Sequence, residues 1–116
     1  MEVRELDDVA IVTTDEQLDA VTSAQLRDAV KEVLEQGIVS LVVDLSRTRF
    51  IDSFGCGALV ASLQDILKHK GDMKLAGVNQ QAKDLFQLTR LDRVFKVFDT
   101  VELALESFSS HSEVCE

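Results

Sequence analysis

A serine between an aspartate and two glycines is the part of this sequence best suited to chemistry. Ser53 follows Asp52 and precedes Gly55 and Gly57, and it comes directly after an apolar run typical of a buried strand. The next residues carry apolar side chains at helical spacing, so Ser53 is predicted at or beside the N-cap of a helix. Its hydroxyl could then cap that helix, attack a substrate as a nucleophile, or accept a phosphate from a partner enzyme.

The two glycines are expected in the first turn of the helix, where each costs about 0.5–1 kcal/mol of helix stability relative to alanine. We interpret this cost as a sign that the backbone near Ser53 must stay uncovered so that another molecule can approach. A phosphate on Ser53 would meet exposed N–H groups and the positive end of the helix dipole, which favour an anion. Asp52 and the acidic chain disfavour one, so phosphorylation could be tolerated locally and still spoil a docking surface.

A catalytic role for Ser53 needs a base within reach. The only histidines are His69, predicted near a helix C-terminus, and His111, in the polar tail, so a Ser-His-Asp arrangement is not expected. Gly55-Cys56-Gly57 lacks both the Lys-Ser/Thr that ends a phosphate-binding loop and the glycine spacing of a dinucleotide site. Cys56 is expected to pack inward as a small apolar side chain. We therefore predict that the protein is not an enzyme but is acted on by one.

The composition predicts a single cytoplasmic domain without metal or cofactor. The chain has 116 residues, enough for one core, and it has neither a membrane-length apolar run nor the features of a signal peptide. Cys56 and Cys115 lie far apart without metal-like spacing, and the acidic residues are scattered. The net charge of −9 argues against nucleic acid and favours a positively charged protein partner.

Alternating strand and helix patterns predict an α/β domain with a mixed sheet of about five strands and about four helices. The domain is predicted to span residues 1–108, followed by a polar, disordered tail at 109–116. The predicted elements, in chain order, are a hairpin at 3–6 and 9–13, a helix opened by the capping box Thr22-Ser23-Ala24-Gln25 and closed by Gly37, a strand at 39–45, the Ser53 helix, a strand at 73–78, a helix capped by Asn79, a strand at 94–98, and a helix opened by a capping box at 99–102.

The segment from Leu41 to Gly57 resembles the signature of STAS domains, and more narrowly that of bacterial anti-sigma factor antagonists. The resemblance rests on the strand 41–45, the loop 46–50 and the core 51–57. It extends from the N-terminal hairpin through Leu18-Asp19 to residues 85–91 and the last strand, and leaves out only the tail. The Asp-Ser-x-Gly-x-Gly core is specific in this setting of strand, loop and helix.

The resemblance implies a bacterial phosphoprotein that regulates transcription by partner switching. Ser53 matches the serine that an anti-sigma factor, itself an ATP-dependent serine kinase, phosphorylates, and a PP2C-type phosphatase would reverse the modification. The unphosphorylated form would bind the anti-sigma factor and so release a sigma factor. Asp19 resembles a family aspartate near that serine. The residues expected to bind the partner are Asp19, Asp52, Ser53, Phe54, Gly55 and Cys56.

Three features depart from the family pattern, namely Phe54, Cys56 and the pair Glu16-Gln17. Phe54 stands where a small or hydroxyl residue is usual. Its ring could block phosphorylation, change which kinase docks, or give the partner an apolar anchor. Two alternatives therefore stay open: a non-phosphorylated STAS scaffold or interaction module in a transporter or sensor complex, and an enzyme that uses Cys56 or Ser53.

Overall fold

Strands and helices alternate along the chain, which we describe from a computed structural model of the backbone of residues 1–114 and the side chains of residues 1–108. The strands are β1 (Glu2–Leu6), β2 (Val9–Thr13), β3 (Gln17–Leu18), β4 (Ser40–Asp44), β5 (Phe50–Ile51), β6 (Asp72–Ala76) and β7 (Lys96–Phe98). The helices are α1 (Ala20–Glu35), α2 (Ser53–Lys68), α3 (Gln80–Leu88) and α4 (Val101–Val114), with a 3₁₀ turn at Leu91–Arg93.

Five of the strands form one mixed sheet in the order β1-β2-β4-β6-β7. The β1–β2 hairpin is antiparallel, and the other neighbours are parallel. The predicted α/β class, five-stranded mixed sheet and four helices are therefore confirmed. The sequence did not indicate the second sheet, in which β3 pairs with β5 in parallel.

The main sheet is covered on both faces, which explains why its central strands are almost continuously apolar. Alternate residues of β2 point to opposite sides. Ala10 and Val12 join a core that contains residues of α1, α2 and α3, while Val9 and Ile11 join a second core with Ala104 of α4. A fully buried leucine in such a core contributes about 1.5–3 kcal/mol through removal from water.

Two of the predicted helix starts are wrong. Helix α1 begins at Ala20 and its capping box is formed by Asp19 and Thr22, because the Asp19 carboxylate accepts the Thr22 N–H while Thr22 Oγ1 accepts the Asp19 N–H. In α4 the capping oxygen is Thr100 Oγ1, which accepts the Leu103 N–H, so the cap lies one residue later than predicted. Gly37, at φ +84°, closes α1 and Asn79 caps α3, both as predicted.

The C-terminal strand is shorter than predicted. Residues 91–93 form the 3₁₀ turn, which continues into a hydrogen bond from Phe95 N–H to Leu91 O, so β7 starts only at Lys96. Phe95 instead packs on Phe86, with ring centroids 5.3 Å apart.

The C-terminal helix passes the predicted end of the domain. Helix α4 continues to Val114, whereas Cys115 and Glu116 lie outside the described residues. The boundary at residue 108 and the disordered tail therefore stay predictions. None of the helices in the described part of the chain combines the length and apolar composition needed to cross a bilayer.

Candidate functional site

The two-stranded sheet places two helix starts side by side. Gln17 of β3 is paired with Phe50 of β5, and Leu18 is paired with Ile51. The next residue of each strand is an aspartate, Asp19 or Asp52, and each aspartate is the N-cap of the following helix. Since neighbouring strands lie about 4.8 Å apart, α1 and α2 begin next to each other.

Asp52, not Ser53, caps helix α2. Asp52 keeps an extended backbone and donates its N–H to Leu18 O at 3.3 Å, while its Oδ1 accepts the Gly55 N–H at 3.0 Å. Ser53 is therefore the first helical residue. Its side chain is exposed, and its hydroxyl makes no hydrogen bond to any residue whose side chain or backbone the structure describes. The Ser53 hydroxyl therefore does not cap the helix, which is the usual role of a serine at a helix start.

The first turn of α2 keeps two unused donors. The Gly55 N–H is satisfied by the Asp52 carboxylate, whereas the Ser53 and Phe54 N–H groups have no acceptor within the described residues. These donors and the helix dipole favour an anion at this end, although Asp52 already supplies one negative charge. An added phosphate would therefore meet attraction from the backbone and repulsion from Asp52.

The two glycines of the first turn have different causes. A Cβ on Gly55 would lie 2.5 Å from Leu18 O and 2.8 Å from Ile51 Cγ2, so this glycine lets α2 pack on the small sheet. The interpretation that an external molecule requires it is wrong for Gly55. A Cβ on Gly57 would meet nothing within 4 Å, so Gly57 leaves an open place on the exposed side of the helix. Only Gly57 fits the idea of backbone left uncovered for an approaching molecule.

Cys56 packs inward, as predicted, with 7% of its surface exposed. Burial raises the pKa of its thiol, and the nearby Asp52 carboxylate raises it further. A thiol held neutral in this way is a poor nucleophile. Of the residues predicted to bind a partner, Gly55 and Cys56 are the two that are buried. Gly55 and Cys56 therefore lie beneath the exposed residues of this helix start.

Exposed apolar side chains stand on both helix starts. Val21, two residues after Asp19, is 69% exposed, and Phe54, two residues after Asp52, is 63% exposed. Ala20 holds in α1 the place that Ser53 holds in α2. We call the exposed residues Ala20, Val21, Ser53, Phe54 and Gly57 the helix-start surface.

The helix-start surface continues along a side of α2 that carries no charge. No Asp, Glu, Lys or Arg occurs between Ser53 and Gln64, in a chain whose net charge is −9. The outer side of this stretch, beyond the helix-start surface, is formed by Val60, Ala61 and Gln64. Large apolar groups beside an uncharged helix face are typical of a protein contact surface.

Asp19 is held as a carboxylate by the backbone of α1. Its Oδ1 accepts the N–H groups of Val21 and Thr22, each at 3.1 Å, and the Thr22 hydroxyl. The hydrogen bond from the Thr22 N–H is the main cause of a lowered Asp19 pKa, which burial partly opposes. Asp19 thus places a fixed negative charge beside the start of α2, near the serine as predicted.

Two amide side chains of α3 hold the segment that leads to Ser53, and sequence reasoning missed this role. Gln81 uses both ends of its amide on one residue, since its Oε1 accepts the Ile51 N–H at 3.2 Å and its Nε2 donates to Ile51 O at 3.1 Å. Asn79, besides capping α3, donates from Nδ2 to Arg49 O at 2.9 Å. The Gln81 amide therefore makes with Ile51 the two hydrogen bonds that a third strand of the small sheet would make.

A buried pair of threonines fixes the other end of the same segment. Thr48 Oγ1 donates to Asp15 O, and Thr14 Oγ1 lies within hydrogen-bond distance of Thr48 Oγ1. Thr14 Oγ1 also lies 3.3 Å from Asp44 O, to which it can donate. These bonds tie the loop before β5 to the end of β2, so Ser53 starts its helix from a rigid support.

The part of the chain whose side chains are described places no histidine beside Ser53. His69 lies at the opposite end of α2, where Nδ1 is 2.8 Å from Asp65 O. A 16-residue helix is about 24 Å long, so His69 cannot act as a base for Ser53. The side chain of His111 lies outside the described residues. No cluster of three His, Cys, Asp or Glu side chains within the described residues could hold a metal ion.

The fold and this site together define the class of protein. The family model of the STAS domain matches residues 1–104. The chain therefore belongs to the STAS family, as the sequence resemblance predicted.

Relatives within the family are described as anti-sigma factor antagonists. A Thermotoga maritima protein, provisionally assigned as one, is 31% identical over 102 residues, which cover 87% of this chain and 90% of the relative. The anti-sigma-F factor antagonist RsfB of Mycobacterium tuberculosis is 31% identical over 100 residues, covering 84% and 79% of the two chains.

Solved structures agree with this assignment. The crystal structure of the Thermotoga maritima protein has a TM-score of 0.85 at 29% identity and covers 91% of this chain and 92% of its own. The unphosphorylated form of the anti-sigma factor antagonist SpoIIAA has a TM-score of 0.82, with 94% and 96% coverage, but only 17% identity. This second likeness supports the fold alone.

Proposed function

We propose that this chain is a cytoplasmic bacterial anti-sigma factor antagonist that works by phosphorylation-dependent partner switching at Ser53. The observation that carries the proposal is that Asp52 and Ser53 have different roles at the start of α2. Asp52 caps the helix, which leaves the exposed Ser53 hydroxyl without a structural partner. Relatives at 31% identity are described as antagonists of anti-sigma factors, which gives the class of partner.

The unphosphorylated protein binds the anti-sigma factor through the helix-start surface. Phe54 is the main anchor of this contact, because a large exposed ring buried in a partner pocket is the kind of residue that dominates binding energy. The uncharged side of α2 can be desolvated at low cost. Ser53 stays exposed beside the ring, which favours Phe54 as an anchor over Phe54 as an obstacle to the kinase.

Phosphorylation uses a base supplied by the partner. Ser53 Oγ attacks the γ-phosphorus of ATP, the bond from that phosphorus to the bridging β–γ oxygen breaks, and ADP leaves. The hydroxyl proton passes to a base of the kinase, since the two nearby carboxylates, Asp19 and Asp52, already accept N–H groups of their own helices. A PP2C-type phosphatase reverses the change when water displaces the phosphate and Ser53 recovers its hydroxyl.

The phosphate would separate the partners because it adds about −1.5 to −2 charges to a surface that must be buried. In the free protein, solvent and the two unused N–H groups of α2 accommodate these charges. In the complex, the phosphate would be desolvated next to Phe54 and opposed by Asp52. Burying an uncompensated charge costs several kcal/mol, more than most contacts contribute.

The direct test is incubation of the purified protein with ATP and its anti-sigma factor, followed by intact mass measurement and mapping of the phosphate. We expect one phosphate on Ser53, none on Ser53→Ala, and normal modification of Ser46→Ala, which removes another exposed serine. Phosphate on a different residue with Ser53 untouched would refute the mechanism.

A binding measurement separates the switch from the scaffold alternative. We expect Ser53→Ala to bind the anti-sigma factor as the unmodified protein does, and Ser53→Asp to bind at least tenfold more weakly, a difference of about 1.4 kcal/mol. Equal binding by the two variants would instead favour a scaffold bound constitutively to its partner.

A further inference from the structure

A large cavity lies at the opposite end of the molecule from Ser53, where the parallel strands begin and α2 ends. Its volume is about 710 Å³, which is within the range of small-molecule sites. The β1–β2 turn, the starts of β4, β6 and β7, the end of α2 and the side of α4 surround it. The apolar part of the wall is formed by Leu6, Val9, Val39, Leu67, Leu105 and Phe108.

One of the lysines that line the cavity is buried. Lys74, on β6, is only 5% exposed, and it lines the cavity. Its Nζ donates to Ser107 Oγ at 2.6 Å and lies 3.9 Å from the centroid of the Phe108 ring and 5.8 Å from that of Phe98. Aromatic faces stabilise an ammonium group, but they do not neutralise its charge.

The ammonium group of Lys74 has no carboxylate within salt-bridge distance among residues 1–108. Buried charges are normally paired. The nearby Asp72 carboxylate is already bound by Lys96 Nζ at 3.1 Å. Burial lowers the pKa of Lys74, an effect that the Asp72 carboxylate opposes and Lys96 reinforces.

Most of the remaining charges of the rim lie in two groups. Lys70, Lys96 and Asp72 line the cavity with Lys74, and Asp72 is paired with Lys96, whereas Asp7 and Asp8 lie together on the β1–β2 turn. A ligand with its anionic group at Lys74 can therefore keep that group on the cationic side. An apolar chain would complete the contact with the walls.

We propose that this cavity binds a carboxylate carried on an apolar chain, of the fatty-acid type, with the carboxylate on Lys74 Nζ and the chain along the walls from Leu67 to Leu105. The carboxylate supplies the counter-charge that the described residues do not. The chain covers the exposed apolar side chains of Leu6 and Leu67.

The test is calorimetric titration of the purified 116-residue chain at neutral pH with three probes. Decanoate should bind with saturation at one site, whereas acetate, which lacks the chain, and 1-decanol, which lacks the charge, should bind at least tenfold more weakly. Absence of saturable decanoate binding, or equal affinity for decanoate and decanol, would overturn the proposal.

The matched variants are Lys74→Met and Lys83→Met, the second on the exposed side of α3. Lys74→Met should weaken decanoate binding at least tenfold and should fold, because it replaces a desolvated charge with an apolar chain of similar length. Lys83→Met should leave binding unchanged. Unaltered binding by folded Lys74→Met would contradict the placement of the carboxylate. Since Ser53→Ala should not affect this titration, its outcome is independent of the switch.

Discussion

Helices α1 and α2 start side by side with the same geometry and differ in what they expose. Asp19 Oδ1 accepts the N–H three residues later at 3.1 Å, and Asp52 Oδ1 does the same at 3.0 Å. An exposed apolar residue follows each aspartate by two positions, Val21 in one helix and Phe54 in the other. The residue between is Ala20 in α1 and Ser53 in α2.

The comparison shows that a helix can start at this place without a serine. In α1 the third helical residue, Thr22, closes a capping box with Asp19, whereas in α2 that position is Gly55 because Leu18 O leaves no room for a side chain. Both helices are capped by aspartate, so the fold makes no use of the Ser53 hydroxyl. A polar group that the fold does not use, placed at an exposed position, is a candidate for recognition or modification.

The largest effect is expected when the hydroxyl is moved from the start of α2 to the start of α1. The double variant Ser53→Ala with Ala20→Ser moves the hydroxyl to the start of the neighbouring helix, at least one strand spacing, or roughly 5 Å, away. We expect loss of phosphorylation, because displacing a reacting atom by even about 1 Å lowers the rate about a hundredfold. The measurement is intact mass after incubation with ATP and the anti-sigma factor. Modification of residue 20 would mean that the kinase recognises the surface without a fixed position.

The next effect should distinguish the two exposed apolar residues. Phe54→Ala is expected to weaken binding to the anti-sigma factor by about 2 kcal/mol, roughly thirtyfold, because a buried aromatic anchor is lost. Val21→Ala should cost less, since its side chain is smaller. Calorimetry or surface plasmon resonance would measure both. Leu88→Ala, at a residue 82% exposed on α3, is the control and should change nothing. Tighter binding by Phe54→Ala would identify the ring as an obstacle instead.

The two glycines of α2 should respond in opposite directions. Gly55→Ala is expected to destabilise the protein by about 1–3 kcal/mol, because its Cβ would collide with β3. Gly57→Ala should stabilise the protein by about 0.5–1 kcal/mol, because alanine has the higher helix propensity and its Cβ would meet no other atom within 4 Å. Chemical denaturation measures both. If the anti-sigma factor packs against the open place at Gly57, the more stable variant will bind it more weakly, whereas unchanged binding would place the contact elsewhere.

The smallest effect concerns acid and the cap of α1. The Asp19 pKa is lowered in the folded protein, so the ionised cap stabilises the fold above the ordinary carboxyl pKa, and this contribution is lost as the pH falls through the folded-state pKa. Asp19→Asn should therefore lower Tm at neutral pH, and the gap to the parent protein should narrow in acid. Thermal melts over a pH series would measure it. A gap that widens in acid would contradict this sign.

How far the sequence predicts this structure depends on the range of the interactions. The apolar run 41–45 and the amphipathic pattern after Ser53 act locally, and both elements are where they were predicted. The start of α1 was misplaced because Asp19 and Thr22 both suit an N-cap, and only the end of β3 decides between them. Strands β3 and β5 have two residues each, too few for any periodicity.

The support of the site was beyond local patterns. The Gln81 amide bonds to Ile51, 30 positions away, and Thr14 meets Thr48 at a separation of 34. No local sequence pattern around these residues indicates such a distant partner. By contrast, Ser53 was identified from the local pattern of a buried strand followed by an amphipathic helix, and Phe54 from its departure from the family pattern, while the capping role of Asp52 required the structure.

The hydrogen bonds that surround the small sheet also limit how a partner can be recognised. Both main-chain polar groups of Ile51 are taken by Gln81, and on the other strand Gln17 O accepts the Thr22 hydroxyl at 2.8 Å. A peptide therefore finds no open ladder here to extend by strand addition. In the proposed complex, recognition at this end would use side chains and helix ends, where a single added phosphate acts directly.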